Sequence, residues 1–464
     1  MKSNNWTPEE LKEALLTNSK INFPISNISI NSELVKKGEL FIPIKGKRYD
    51  GHQFISHALS KGANYSLATG SNYKKFKLNK FKKKIILVKN IKDSLNNLAM
   101  YSRKRIKGKI LGITGSLGKT SIKEAIYFIL KKRIDIQKND GNFNNLIGMP
   151  ISLAKFQKNI DFGILELGMN RKGEIKKLSN ICMPDIALIT KISNAHIGNF
   201  NNLKDIALAK SEIFSGMNNS GIAILNDTDT YLSLLKESAK LSGIKQFIFF
   251  GKSKKSDISL LKVEYQKNNK FKVYVNVSGK KINFLLNNLG THWIENSLAI
   301  ISVLFAMGQD IQLFSEKIKH FQAIKGRGKL LKATFDKKKF EIIDDSYNSS
   351  PESLSSSMSF LHRYGVTRRK ICVLGDMYEL GKFSRKFHLS LKKDIKDNKI
   401  FKVYTIGKQM KNLYDTLPLA VKGEHSKDLE ELFAKLKELI KSNDVILFKG
   451  SRSMKLDEVI DKFK

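Results

Sequence analysis

Ile110-Leu111-Gly112-Ile113-Thr114-Gly115-Ser116-Leu117-Gly118-Lys119-Thr120 joins two secondary-structure signals to one chemical signal. Residues 110–114 form an apolar run of strand length. Residues 122–130 carry apolar side chains at the three- and four-residue spacing of a helix. Between them lies the sequence a strand–loop–helix phosphate site requires. Gly115 and Gly118 let backbone N–H groups turn toward phosphate oxygens with no Cβ in the way, and the helix N-terminus adds its dipole. Lys119 would reach the β- and γ-phosphates, and Thr120 would offer a hydroxyl to Mg²⁺. Thr114, Gly115, Ser116, Leu117, Gly118, Lys119 and Thr120 are therefore expected to bind a nucleoside triphosphate. The strict pattern places Gly five residues before the last Gly, and this chain has Ile113 there.

Outward from this loop, residues 89–320 alternate short apolar runs with helical periods, as βαβ units around a mostly parallel sheet do. Strands are expected at 110–114, 162–167, 185–189, 221–225 and 247–250, and a second helix at 296–307. Residues 258–290 differ. Val263, Tyr265, Phe271, Val273, Val275 and Phe284 alternate around an Asn-Asn and a Ser-Gly turn, predicting an antiparallel meander. After Gly326-Arg327-Gly328 the alternation resumes through 321–464. Strands are predicted at 340–343, 371–374, 403–406 and 445–448, with helices at 351–364 and 385–395. Residues 1–88 form a first unit. There Thr7-Pro8-Glu9-Glu10 starts a helix, and 40–44 is a short strand whose Pro43 marks a sheet edge or a strand end. The fold class is α/β in three domains: a small α/β N-terminal unit (1–88), a central P-loop ATPase-type unit with the meander (89–320) and a C-terminal Rossmann-like unit (321–464).

Composition narrows the function classes. The chain has 464 residues, 41% of them hydrophobic and 27% charged, values of an ordinary globular protein. The formal net charge of +40 admits nucleic acid, anionic membrane and anionic metabolites as partners. A basic run (Lys74, Lys75, Lys77, Lys80, Lys82, Lys83, Lys84) with Tyr73, Phe76 and Phe81 interleaved reads as a solvated domain edge more readily than as a nucleic-acid site. Only two cysteines, Cys182 and Cys372, are present, which excludes a disulfide-stapled module. Glu9, Glu10 and Glu13 stand where a signal peptide needs an apolar core. The longest uncharged apolar stretch, 298–307, is far short of the ~20 residues that span a bilayer. A cytoplasmic protein with no transmembrane segment is expected.

Thr114-Gly115-Ser116-Leu117-Gly118-Lys119-Thr120 resembles the loop of the Mur ligase family, and further motifs agree along nearly the whole chain. They are Gly141-Asn142-Phe143-Asn144-Asn145, Glu166-Leu167-Gly168, Asn194-Ala195-His196 and Ala209-Lys210-Ser211-Glu212. Then follow Gly290-Thr291-His292 with Asn296, Gly326-Arg327, Asp344-Asp345-Ser346-Tyr347-Asn348, Gly375-Asp376-Met377-Tyr378-Glu379-Leu380-Gly381 and Lys449-Gly450-Ser451-Arg452-Ser453. The last three are similar to the member of the family that adds D-alanyl-D-alanine. The Asp-Asn-Pro-Arg motif of the diaminopimelate-adding relative is missing.

The resemblance implies an ATP-dependent amide ligase. ATP phosphorylates the terminal carboxylate of a UDP-N-acetylmuramoyl-tripeptide, and the amine of D-alanyl-D-alanine then attacks the acyl phosphate. It implies ATP and two Mg²⁺ ions as cofactors, with Lys119, Glu166, His196 and Lys210 as catalytic residues and Thr120, Glu166 and His196 as metal ligands. Lys210 stands where the family has a lysine that can carry a carbamate, which forms only on a neutral amine. Asn296, Arg327 and Asp345 match positions contacting the base, phosphates and ribose of ATP. The N-terminal unit corresponds to the UDP-binding domain. Ser32, Lys45, Asn144, Asn145, Asn348, Ser451 and Arg452 are carried as substrate-binding residues. Two departures stand out: the family's Asp-Ser-Arg signature reads Asn31-Ser32-Glu33, and Trp293 replaces an Asn after the His of its motif. A monomer without specific nucleic-acid binding is expected. Open alternatives are another ligase of the superfamily, such as one adding glutamate to folate, a nucleic-acid-stimulated ATPase, and an inactive binding protein.

Overall fold

The computed structural model describes residues 6–46, 48–266, 270–287 and 290–464. Three sheets organise it. In the first unit, Thr7 caps the helix Pro8–Leu15 in a capping box with Glu10, as the sequence predicts. Four short parallel strands follow in the order Ile28–Ser29, Leu40–Phe41, Tyr65–Thr69 and Ile85–Val88. The strand expected at 40–44 shrinks to two residues inside the sheet, so Pro43 marks a strand end and not an edge. The lysine run lies on the helix Gly70–Lys75 and the 3-10 turns Leu78–Lys84. Tyr73, Phe76 and Phe81 pack down on a small core while the lysines face solvent.

The helix Ile91–Arg105, capped by Asn90, leads into the central unit. Its Ser102 hydroxyl donates to the Leu153 carbonyl at 2.8 Å. The central sheet has nine strands in the order Lys280–Asn287, Lys270–Val277, Ile258–Gln266, Gln246–Gly251, Ile222–Asn226, Ile186–Ile189, Lys109–Thr114, Phe162–Glu166 and Ile136–Lys138. All pairs are parallel except the two within the meander. The Ser278-Gly279 turn forms with both residues at positive φ, whereas the Asn-Asn turn lies outside the described residues. Strand Lys109–Thr114 is buried on both faces: Ile110 enters one core, and Leu111 and Ile113 enter the other.

The helix Lys119–Leu130 buries Ile122, Ala125, Ile126, Ile129 and Leu130 against the sheet, and with them one charged residue, Lys123. The helix expected at 296–307 begins earlier, as His292–Ala306. Trp293 adds a turn because it is 2% exposed and packs on Phe321, ring centroids 5.0 Å apart.

The third unit is a six-stranded sheet ordered Lys329–Phe335, Lys338–Asp345, Val445–Lys449, Lys370–Gly375, Lys402–Ile406 and Lys422–Ser426. It is parallel apart from the first hairpin. The helices Pro351–Tyr364 and Ser384–Asp397 appear as expected. Strands Lys329–Phe335 and Lys422–Ser426 lack a buried apolar run, so their sequence carried no strand signal.

Candidate active site

The parallel strands of the central and third units end at a shared cavity of about 830 Å³. The phosphate loop forms one wall. Gly115 has φ 140°, and a Cβ there would lie 1.9 Å from Thr190 Oγ1, which itself donates to the Leu117 carbonyl at 2.5 Å. Gly118 has φ 84°, and a Cβ would lie 2.7 Å from Asn296 Oδ1. Both glycines are thus required by backbone and by space. Ser116 N–H donates to the Lys191 carbonyl at 2.7 Å, tying the loop to the end of strand Ile186–Ile189.

Lys119 folds back to donate to the Gly115 carbonyl at 2.7 Å. Burial depresses its pKa, the Glu166 charge opposes this, and Arg327 adds to it. Thr120 Oγ1 donates to Glu166 Oε2 at 2.9 Å, and Asn144 Nδ2 donates to Glu166 Oε1 at 2.8 Å. The Glu166 N–H donates to Asn139 Oδ1 at 3.0 Å, fixing the strand end that carries the carboxylate.

Lys210, on the helix Leu203–Ser211, is 2% exposed. Burial, and then the charge of Lys119, push its pKa well below the ordinary lysine value. His196 adopts φ 66° and places Nδ1 2.5 Å from Glu379 Oε2, a close contact without well-directed hydrogen-bond geometry. The imidazole holds the Glu379 carboxyl below its usual pKa against the opposing effect of burial. The Gly198 N–H also donates to the Glu379 carbonyl at 2.8 Å, and Asn194 donates to Glu352. The loop 194–199 is thereby clasped by the third unit.

Arg327 sits between Gly326 (φ 75°) and Gly328 (φ 85°). The Asp344 carboxylate accepts from the Gly326 N–H at 2.9 Å. From this junction Arg327 stacks on Tyr347 at 4.3 Å and extends Nη2 to 3.4 Å from Thr120 Oγ1. Asp345 accepts from Lys449 Nζ at 2.6 Å and from Ser357 Oγ at 2.5 Å. Asn296 Nδ2 is buried beside Gly118 without a hydrogen-bond partner, a donor left for a ligand.

Lys119, Thr120, Asn144, Asn145, Glu166, His196, Lys210, Asn296, Arg327, Asp345 and Asn348 all line this one cavity. Thr114 does not. Its hydroxyl donates to the Leu167 carbonyl at 3.0 Å and binds neighbouring strands together. Ser32 and Lys45 lie in the first unit, outside the cavity lining. Ser451 Oγ accepts from the Tyr378 N–H at 2.8 Å, and Arg452 pairs with Asp457 at 2.6 Å, so neither reaches the cavity. Sequence reasoning missed Lys123, Glu352, Glu379 and Lys449. Glu379 stood in a quoted glycine-bounded motif. Lys123 carried no signal beyond its place on the apolar face of its helix.

Three family models cover most of the chain. The Mur ligase family catalytic domain matches residues 24–104, the Mur ligase middle domain 113–304, and the Mur ligase glutamate ligase domain 326–452. The chain belongs to the Mur ligase family. A UDP-N-acetylmuramoyl-tripeptide–D-alanyl-D-alanine ligase of Rickettsia prowazekii is 34% identical over 99% of this chain and 100% of its own. A crystal structure of MurF from Acinetobacter baumannii superimposes with a TM-score of 0.87 at 25% identity, covering 100% and 99% of the two chains. MurF ligase from Thermotoga maritima in complex with ADP gives 0.79 at 27% identity, covering 94% and 96%.

Mur ligases are ATP-dependent and use Mg²⁺, and the residues present fit both. Backbone N–H groups, Lys119 and the unpaired Asn296 Nδ2 suit a polyphosphate nucleotide. The Thr120 hydroxyl and Glu166 carboxylate are hard oxygen donors suited to Mg²⁺, which takes one or two protein oxygens and completes its shell from phosphate and water. Among the described residues there is no cluster of three or more His, Cys, Asp or Glu that could hold a metal alone. No helix among them is long and apolar enough to cross a membrane. Cys182 and Cys372 are free and buried, and burial raises both thiol pKa values, that of Cys182 to about 12.

Proposed function

We propose that this chain is an ATP-dependent ligase that joins D-alanyl-D-alanine to UDP-N-acetylmuramoyl-tripeptide in peptidoglycan precursor synthesis. The observation that carries this reading is convergence. The phosphate loop, Glu166, His196, Lys210 and Arg327 are dispersed over more than two hundred positions, yet they meet in one cavity between two units. The chain also aligns end to end with a relative of that name.

The chemistry suits the residues. A carboxylate is a poor electrophile, so the terminal tripeptide carboxylate first attacks the γ-phosphorus of ATP, giving an acyl phosphate and ADP. The D-alanyl-D-alanine amine then adds to the acyl carbon, loses a proton, and expels phosphate as the amide forms. Both steps rest on positioning and charge neutralisation. Lys119 and Arg327 would face the transferring phosphoryl group, and Thr120 with Glu166 would hold Mg²⁺, which neutralises phosphate charge when bound. His196 is assigned to a second ion. A carbamate on Lys210 is supported by its burial and depressed pKa, since only the neutral amine reacts with carbon dioxide. Ser32 and Lys45 of the unit 1–88 are assigned to the UDP end. The unit 89–320 is assigned to ATP, and the unit 321–464 to closure over ATP and the dipeptide. A cytoplasmic monomer fits this assignment.

Incubation with ATP, Mg²⁺, D-alanyl-D-alanine and UDP-tripeptides differing in their third residue, with mass detection, tests the reading. Product is expected with one equivalent each of ADP and phosphate. No product with any tripeptide, together with ATP hydrolysis stimulated by DNA or RNA at physiological salt, would overturn it in favour of a nucleic-acid ATPase.

A further inference from the structure

Lys123 belongs to the helix that opens with the phosphate loop, one turn beyond Lys119, and its side chain is fully buried on the apolar face. A buried ammonium needs partners. Lys123 Nζ donates to the carbonyls of Asn139 at 2.8 Å and Gly141 at 3.2 Å, and lies 3.8 Å from Glu166 Oε2 and 3.6 Å from Glu124 Oε1. Glu124 is also engaged by Lys138 at 3.0 Å, and Glu166, whose charge also acts on Lys119, is the second acid within reach of Lys123. Glu166 itself is 2% exposed. The carboxylate at the Mg²⁺ position therefore has a lysine amine packed behind it, 3.8 Å away, held by two backbone carbonyls. The segment Lys123 ties down, 139–144, also delivers the Asn144 amide to the other oxygen of that carboxylate.

We infer that Lys123 is a positioning residue that both orients Glu166 and neutralises it, so that a divalent ion is held at Thr120 and Glu166 only when nucleotide phosphates share the coordination. With its charge matched, one carboxylate beside one hydroxyl is a weak site for a bare dication. Bound triphosphate supplies the missing negative charge. The site then fills with the metal–nucleotide complex and does not collect free ions in its absence. This inference rests on the assignment of Thr120 and Glu166 to Mg²⁺. Its test uses nucleotide-free protein, so it can fail while the ligase assay above succeeds, and the reverse.

The probe is Mn²⁺, titrated without nucleotide and read by the electron paramagnetic resonance of the free ion. Wild-type protein should bind more weakly than about 1 mM. Lys123→Gln removes the charge but keeps N–H donors for the two carbonyls, and Lys123→Met removes both. Each should bind Mn²⁺ at least about tenfold more tightly than wild type, while Lys123→Arg, which keeps the charge, should stay weak. Unchanged or weaker binding in the Gln variant would overturn the inference and leave Lys123 as a tie for the loop alone. Wild-type binding in the micromolar range would overturn it too, whether or not any variant folds.

Discussion

Replacing Lys210 by Met should make the protein more stable and nearly inactive at once. The side chain is 2% exposed, burial is the chief cause of its depressed pKa, and the Lys119 charge adds to it with no acid offsetting either. Replacing even a buried ion pair by apolar residues is often neutral or stabilising by about 1–4 kcal/mol, and an unpaired buried lysine should gain in the same direction. Met fills the same volume, so little is lost in packing. The sign of the pH dependence follows. Between the depressed folded pKa and the ordinary lysine value the unfolded chain binds more protons, so wild-type stability rises with pH across that window. Met should remove this slope. On the catalytic side, loss of one charge-bearing group at a phosphoryl site costs ~10²–10³ in rate, about 2.7–4 kcal/mol of barrier. Urea unfolding at several pH values gives the first quantity and phosphate release coupled to product formation gives the second. Lys210→Ala and Lys210→Arg then resolve the chemistry. A carbamate predicts that acetate partly restores the Ala variant and that Arg is inactive, because Arg cannot present a neutral amine. A simple cation predicts an active Arg variant and no effect of acetate. Near-normal turnover in Lys210→Met would refute the reasoning, as would a fall in stability together with activity.

Three further outcomes are expected. Lys119→Ala should fold normally and lose ~10²–10³ in product formation, measured by mass detection, because the cation held at the loop is gone. Gly198→Val should leave the unfolding profile of the central unit intact yet lower kcat, since a Cβ there would lie 2.4 Å from the Gly381 nitrogen and 2.7 Å from the Glu379 carbonyl oxygen; steady-state kinetics with unchanged kcat would count against it. His292 is exposed to the cavity, and the surrounding protein lowers its pKa to about 4 despite the opposing charge of Asp345, an effect on stability that solvent in the cavity reduces. Between the ordinary histidine value and that pH the unfolded chain binds the extra proton, so stability is complete above this window and is lost as pH falls through it. His292→Gln should flatten that part of the urea-midpoint profile.

The phosphate loop was legible because three signals coincide in eleven residues: an apolar strand, two glycines with a cationic residue, and an amphipathic helix. The meander was legible from its two-residue alternation. Edge strands such as Lys422–Ser426 were not, because they pair with one neighbour only and bury little. In the site, Glu166 and His196 could be named because each sits in a short motif beside its strand. Lys123 could not, since a lysine inside a helical period reads as a solvated charge until the packed side of the helix is known. Glu352 and Glu379 act across the boundary between units, and no local pattern encodes a contact between residues 158 and 183 positions apart. Conversely, Thr114 and Ser451 belong to motifs whose backbone shapes the site while their own hydroxyls serve structural bonds.

Gly198 and Gly381 touch backbone to backbone, the Cα of Gly198 lying 2.8 Å from the place a Cβ on Gly381 would take. At this point of contact there are no rotamers to freeze and little surface to dehydrate, so the entropic cost falls on the neighbouring His196–Glu379 and Asn194–Glu352 contacts. The nucleotide cavity is walled by both sides of this contact. On the proposed assignment, separation of the loop 194–199 from the segment 378–381 would widen the way out for a bound nucleotide, as opening of loops and domains does in many enzymes. The absence of side chains at these two positions lets the two units approach to backbone distance, where any larger residue would hold them apart.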